Sequence, residues 1–208
     1  MKNFDNSFLN NNIKIIAGVD EAGRGPLAGP VVSAAVIFDE NVFIEGVNDS
    51  KKLSEKEREE LFPEIINKAA AYSVAAVSHF QIDQINILQA SLKSMLIAVK
   101  RLSTKPDLIL IDGNKTFKYS VPTIPIVKGD SKSFSIAAAS IIAKVARDRI
   151  MKRLDKHFPQ YLWAKNKGYP TKEHINLILQ FGSCPLHRKT FLKKIIPENY
   201  SPELNFNK

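Results

Sequence analysis

A chain of 208 residues with 44% hydrophobic side chains is long enough for one sizeable core and short for two full domains. One cysteine excludes an intrachain disulfide, no apolar run approaches a bilayer span, and the polar, Asn-rich start lacks the apolar core of a signal peptide, so a disulfide scaffold and a membrane-embedded protein are set aside and a reducing, cytoplasmic location is expected. The net charge of +9 favours a polyanionic partner and is unevenly spread: 12 Lys and Arg face 15 Asp and Glu up to Asp112, and 18 face 6 beyond it.

Residues 1–12 read as a flexible leader. Ile13 to Val19 is an apolar, β-branched run that predicts the first strand, and it delivers two adjacent carboxylates, Asp20 and Glu21, into a loop with three glycines, two prolines and one arginine, Arg24. Successive side chains of a strand point to opposite faces, so these two acids share a site only where pairing ends or bulges. Carboxylates this close repel unless a cation lies between them, and an all-oxygen donor set suits magnesium or manganese. Gly23 and Gly25 remove side-chain bulk on both sides of Arg24, letting backbone N–H groups approach a polyanion or sugar while the guanidinium grips a phosphate. The plainer alternative is an exposed turn beside ordinary surface charge.

Val31 to Phe38 predicts a second strand, the hairpin partner of the first. Ser54 with Glu57 resembles a capping box opening a charged helix, which Pro63 should kink or split before Ala70. Ala71 to Ser78 reads as a strand, and Gln81 to Leu102 as one long packing helix with Ile85, Leu88, Leu92, Met95, Val99 and Leu102 on one face. Asp107 to Ile111 then repeats the opening design, a short apolar strand running into Asp112 and a glycine. Pro125 to Val127 supplies a third strand end, carrying Lys128, Gly129 and Asp130. Three acid-bearing strand ends argue for one shared metal site more strongly than any one of them.

Ser131 to His157 predicts a helix with an apolar stripe of Ile142, Ala146, Ile150 and Leu154, its other surface decorated by Lys144, Arg147, Arg149, Lys152, Arg153 and Lys156. Asp148 is expected to pair with Lys152 one turn on. Thr171 caps a helix to Phe181, and Tyr169 before it either stacks on a sugar or base or simply packs. Cys184 and His187 lie three apart, but one cysteine among scattered histidines does not make a zinc site. Residues 197–208 read as a flexible tail.

The segments Asp20 to Val32, Ile111 to Gly113, Lys128 to Lys132, Ala137 to Asp148 and Gly168 to Thr171, in this order, resemble bacterial ribonuclease HII from about Ile13 to Phe191. The resemblance implies an α/β ribonuclease H-like fold, a central mixed β-sheet flanked by helices, over residues 13–196 with a small helical C-terminal part. It implies catalytic, metal-holding acids at Asp20, Glu21, Asp112 and Asp130, substrate contacts at Gly23, Arg24, Gly25, Lys128 and Ser131, and a tyrosine against the ribose at Tyr169. The implied activity is that of a monomeric endoribonuclease acting on RNA–DNA hybrids and on DNA duplexes containing ribonucleotides. It cuts 5′ of a ribonucleotide with two Mg2+ or Mn2+ ions and leaves 3′-hydroxyl and 5′-phosphate ends. Three rivals are weighed against it: ribonuclease HIII, which by resemblance has another residue at the position of Arg24; a non-catalytic nucleic-acid binder, which leaves the acids unexplained; and a metal-dependent nuclease of all-DNA duplexes on the same fold.

Overall fold

The computed structural model describes residues 1–193, 195 and 196; the tail expected over 197–208 lies outside them. Five strands form one mixed sheet: β1 (Ile16–Ala22), β2 (Val31–Ile37), β3 (Ala71–Val77), β4 (Leu108–Asp112) and β5 (Thr123–Ile126), in the order β3-β2-β1-β4-β5. The first three are antiparallel neighbours, while β4 lies parallel to β1 and β5 parallel to β4. Every residue of β2 is buried and β1 nearly so, as expected of central strands covered on both faces. On one face, Ala17, Val19, Ile109 and Ile111 pack against Met95, Ala98 and Val99 of α3 (His79–Lys100). The other face carries Ile16, Gly18, Asp20 and Ala22 and meets α4 (Phe134–Asp155).

The seat of α4 on the sheet depends on small residues. A Cβ on Gly18 would lie 2.2 Å from the Ser135 carbonyl carbon, and Ala137, Ala138, Ala139 and Ala143 are all fully buried along the helix. Where a one-sided stripe is expected, the first half of α4 is buried all round, because α2 (Glu55–Lys68) covers its outer side. Arg147, expected at the surface, is fully buried, and Asp148 pairs backwards with Lys144 at 2.8 Å, while Lys152 bonds Glu55 of α2. Residues 1–12 also depart from a frayed leader. Helix α1 (Lys2–Asn6) buries Asp5, whose carboxylate accepts from the backbone N–H and hydroxyl of Ser135 at 2.8 Å each, supplementing the Ser133 cap of α4.

Helix α2 opens with the Ser54–Glu57 capping box and runs through Pro63 as one helix, so of the two expected forms the split does not occur; Ile65, beyond the proline, is buried in the core. Helix α3, expected to be continuous, is broken at Asn86, which takes a left-handed φ of 64° and accepts from Gln89 N–H, capping the second segment. The C-terminal part, α5 (Trp163–Asn166), α6 (Lys172–Phe181) and α7 (Lys189–Leu192), folds around its own small core of Leu27, Met151, Tyr161, Trp163, Ile178 and Leu192. No helix among the described residues is long and apolar enough to cross a membrane.

Candidate active site

Strand register alone brings the first two acids together. Pairing of β1 with β4 stops at Val19 opposite Ile111, while its pairing with β2 continues to Ala22. The sheet therefore opens a notch on the β4 side just where the acids begin. Counting on from Gly18 opposite Leu110, Asp20 and Asp112 stand beside each other on the face that α4 covers. Asp130 arrives differently. Strand β5 ends at Ile126, and Asp130 sits in a 3-10 turn (Gly129–Ser131) behind Lys128, whose backbone is left-handed, rather than at a strand end. The Asp112 carboxylate accepts from Gly129 N–H at 2.7 Å, which draws this turn into the notch.

One carboxylate oxygen from each of Asp20, Asp112 and Asp130 lies within 4.8 Å of the others, an acidic cluster able to hold a metal ion. Glu21 projects from the other phase of the strand and is not part of that trio; its Oε1 lies 3.4 Å from Arg24 Nη1. Burial raises the Asp20 carboxyl well above its usual range, with Glu21 and then Asp112 adding repulsion, and Glu21 is raised by burial despite Arg24. Asp112 is raised by burial and by the charge of Asp130. Buried, mutually repelling oxygen donors are what a hard divalent cation relieves, so the residues present fit Mg2+ or Mn2+. One cation already touches the cluster: Lys51 Nζ bonds Asp130 at 3.0 Å, and although burial opposes it, that contact raises the Lys51 pKa. The loop carrying Lys51 is anchored by a Ser50–Ser140 hydroxyl bond of 2.6 Å, and Ser140 also reaches Asp20.

Asp20, Glu21 and Asp112 open into a cleft of about 380 Å³ that Arg24, Gly25, Lys51, Lys144 and Tyr169 also line; Asp130, though within 4.8 Å of Asp20 and Asp112, lies outside that lining. Arg24 is half exposed, and Tyr169, 36% exposed, sits close to Gly25 with Lys144 and Arg147 each 5.6 Å from its ring centre. Lys128 and Ser131 lie outside the cleft lining, exposed on the turn that carries Asp130, with the Ser131 hydroxyl closing that turn onto the Lys128 carbonyl.

The shape of the glycine loop is set from beneath. Gly23 has a φ of 103°, and a Cβ there would come within 2.2 Å of Arg147 Nε, so the missing side chain makes room for a buried arginine while the residue still lines the cleft. Arg147 donates to the carbonyls of Ala28, Pro30 and Lys167. From the C-terminal part, Arg188 donates to those of Gly23, Arg24, Gly29 and Pro30 at 2.7–3.2 Å. Burial, then the neighbouring Arg147, lowers Arg188 to about 9, still protonated at neutral pH. Among the described residues neither arginine bonds a carboxylate, so both leave positive potential under the loop. Sequence reasoning missed Arg147, Arg188, Lys51 and Ser140. A basic residue inside a helix or a short tail reads as surface, and only tertiary packing reveals otherwise. The Cys184–His187 pair does not open onto a metal site: His187 turns one nitrogen to Cys184 and the other to His174.

Comparisons with known proteins agree with this geometry. The family model described as Ribonuclease HII matches residues 17–194. Ribonuclease HII of Acetivibrio thermocellus is 56% identical over 183 residues, covering 88% of this chain and 72% of that protein. Among solved structures, ribonuclease H2 of Pyrococcus horikoshii OT3 superposes with a TM-score of 0.69 at 33% identity, over 85% of this chain and 93% of its own. Ribonuclease HII of Archaeoglobus fulgidus, solved in complex with PCNA, gives a TM-score of 0.68 at 27% identity, over 87% and 95%.

Proposed function

The chain belongs to the ribonuclease HII family, and from that premise we propose that its cleft hydrolyses the RNA strand of RNA–DNA hybrids and nicks duplex DNA on the 5′ side of an embedded ribonucleotide, leaving 3′-hydroxyl and 5′-phosphate ends. The observation that carries the reading is the meeting, in one cleft, of Asp20 and Asp112, whose carboxylates cluster with that of Asp130, with the Arg24 loop and Tyr169. Asp20, Glu21, Asp112 and Asp130 would hold two Mg2+ or Mn2+ ions, which when bound supply activation of a water and stabilisation of the leaving 3′ oxygen.

The remaining work belongs to the chain. The four carboxylates must be ionised to bind cations, and Gly129 N–H and Ser140 favour that form at Asp112 and Asp20 against the cost of burial. Arg24 reaches outward as a phosphate grip next to Glu21. The backbone at Gly23 and Gly25 would read the ribose 2′-hydroxyl, the one chemical handle that separates RNA from DNA at a single residue. Tyr169 would stack on the sugar at the RNA-to-DNA junction, with Lys128 and Ser131 touching the strand that flanks it. The basic second half supplies the duplex grip, and the protein acts as a monomer in the cytoplasm.

A labelled RNA–DNA hybrid incubated with Mg2+, Mn2+ or chelator, followed by end-group analysis, tests the reaction class. Metal-dependent fragments with 5′-phosphate ends are expected. Cyclic-phosphate or 5′-hydroxyl ends, or cutting that survives the chelator, would contradict a water-nucleophile, metal-supported hydrolysis.

A further inference from the structure

Behind Tyr169 lies a buried histidine pair that the proposed chemistry does not use. His174, in the first turn of α6, and His187, on the loop before α7, are both essentially inaccessible. His174 Nδ1 is 3.0 Å from the Tyr169 carbonyl oxygen. A carbonyl only accepts, so that nitrogen carries a proton. Trp163 Nε1–H donates to His174 Nε2 at 3.0 Å, so this second nitrogen of the ring is the bare one. His187 Nε2 lies 3.3 Å from the same bare nitrogen and can only donate to it, leaving His187 Nδ1 to accept from Cys184 N–H at 3.0 Å. The two N–H donors share the single lone pair of His174 Nε2, the Trp163 bond being the shorter, with both imidazoles neutral and each tautomer set by its outer bond, to the Tyr169 carbonyl and from Cys184 N–H. A second proton on either ring would force donor against donor.

The end of this chain of bonds is the backbone of the residue assigned to the ribose. Tyr169 N–H donates to the Asn166 carbonyl, and its own carbonyl accepts from Thr171 N–H as well as from His174. Its ring lies over Gly25 with Lys144 and Arg147 against it, and its hydroxyl makes no hydrogen bond among the described residues. The strand of contacts continues into the glycine loop, since Leu27 N–H donates to the Gly168 carbonyl at 2.7 Å. The imidazole therefore fixes the height of the tyrosine ring above the loop without touching the cleft.

We propose that His174, its tautomer set by His187 and Trp163, is a positioning residue that holds Tyr169 at the height needed to meet the ribose at an RNA-to-DNA junction. The proposal rests on the reading of Tyr169 given above. Because catalysis is sensitive to small displacements of positioning groups, a lost Nδ1 bond should appear in turnover rather than in duplex affinity.

The test uses two isosteres. In His174→Asn the amide nitrogen stands where Nδ1 stood and keeps the bond to Tyr169; in His174→Gln the amide lies where Nε2 stood and that bond is gone. Each is assayed beside Tyr169→Ala on a DNA duplex with one ribonucleotide, with duplex affinity measured in chelator and thermal stability recorded. His174→Gln is expected to lower kcat by at least about tenfold with affinity unchanged, while His174→Asn stays within about threefold of the parent. If the two fall together in proportion to lost stability, His174 is merely structural and the proposal is overturned. If both match the parent while Tyr169→Ala is impaired, the positioning idea fails and the reading of Tyr169 stands. If Tyr169→Ala is itself unimpaired, that reading fails and takes the proposal with it. Imidazole 15N shifts of the parent protein give a readout independent of activity: Nδ1–H at His174 and Nε2–H at His187 are expected, and the opposite tautomers would overturn the assignment.

Discussion

Asp112 stands where burial and the charge of Asp130 both oppose its ionisation, while Gly129 N–H favours it. Replacing it by Asn removes a charged oxygen donor without emptying the space. The Asp112→Asn variant should lose cleavage by more than about 100-fold, the scale at which even outer-shell changes at metal sites act, yet bind duplex as the parent does. Quantitative cleavage and gel-shift assays check both halves, and undiminished turnover would remove Asp112 from the site. At Gly23 the constraint is steric: a methyl group would meet Arg147 in a backbone conformation that L-residues avoid. Asp20 and Asp112 were legible in the sequence because an apolar strand ending in an acid is a local pattern. Asp130 was found for a partly mistaken reason, since it lies in a turn beyond its strand. Arg147 and Arg188 were not legible at all, because nothing in a basic residue's neighbours along the chain announces that seven backbone carbonyl contacts await the pair.

The loop between β1 and β2 is held between α4 and the segment before α7, so the C-terminal helices are part of the site's foundation. Arg188→Met would leave the Gly23, Arg24 and Gly29 carbonyls without these donors. At about 1–3 kcal/mol for each buried group left unpaired, the loss is at least about 3 kcal/mol, or a fall in Tm of roughly 10 °C for a domain of this size. A Tm within about 2 °C of the parent would show that water replaces the guanidinium. The histidine pair gives these elements an acid limit. Burial, then His174, lowers His187 from 6.5 to about 4. The unfolded chain thus takes up a proton below pH 6.5 that the folded chain refuses until about pH 4. Stability present above pH 6.5 is lost across that window, by about 3 kcal/mol. The raised carboxyls of Asp20, Glu21 and Asp112 act in the opposite sense, so the readout is the difference between proteins: denaturant melts at pH 7 and pH 4.5 should show a larger acid loss in the parent than in His187→Phe, and the same pH dependence in both would contradict the depressed titration. Element order and most boundaries were readable from periodicity and capping. The break of α3 at Asn86 was not, because a residue with a positive φ and its side-chain cap decided it.

Across the whole molecule, the acids of the notch come from β1, β4 and the turn before α4, whereas most of the positive charge lies beyond Asp112. Catalysis and duplex grip should therefore separate. Raising salt from about 50 to about 200 mM is expected to weaken duplex binding by at least about tenfold in parent and Asp112→Asn alike, and a salt-insensitive complex would argue against a backbone-directed grip. The most direct test of the central claim is to map cleavage of an end-labelled DNA duplex carrying a single ribonucleotide, with Mg2+, Mn2+ or chelator, beside an all-DNA duplex. One metal-dependent cut on the 5′ side of the ribonucleotide is expected, with the all-DNA control intact. Cutting of the all-DNA duplex, or binding without cutting under either metal, would contradict that claim.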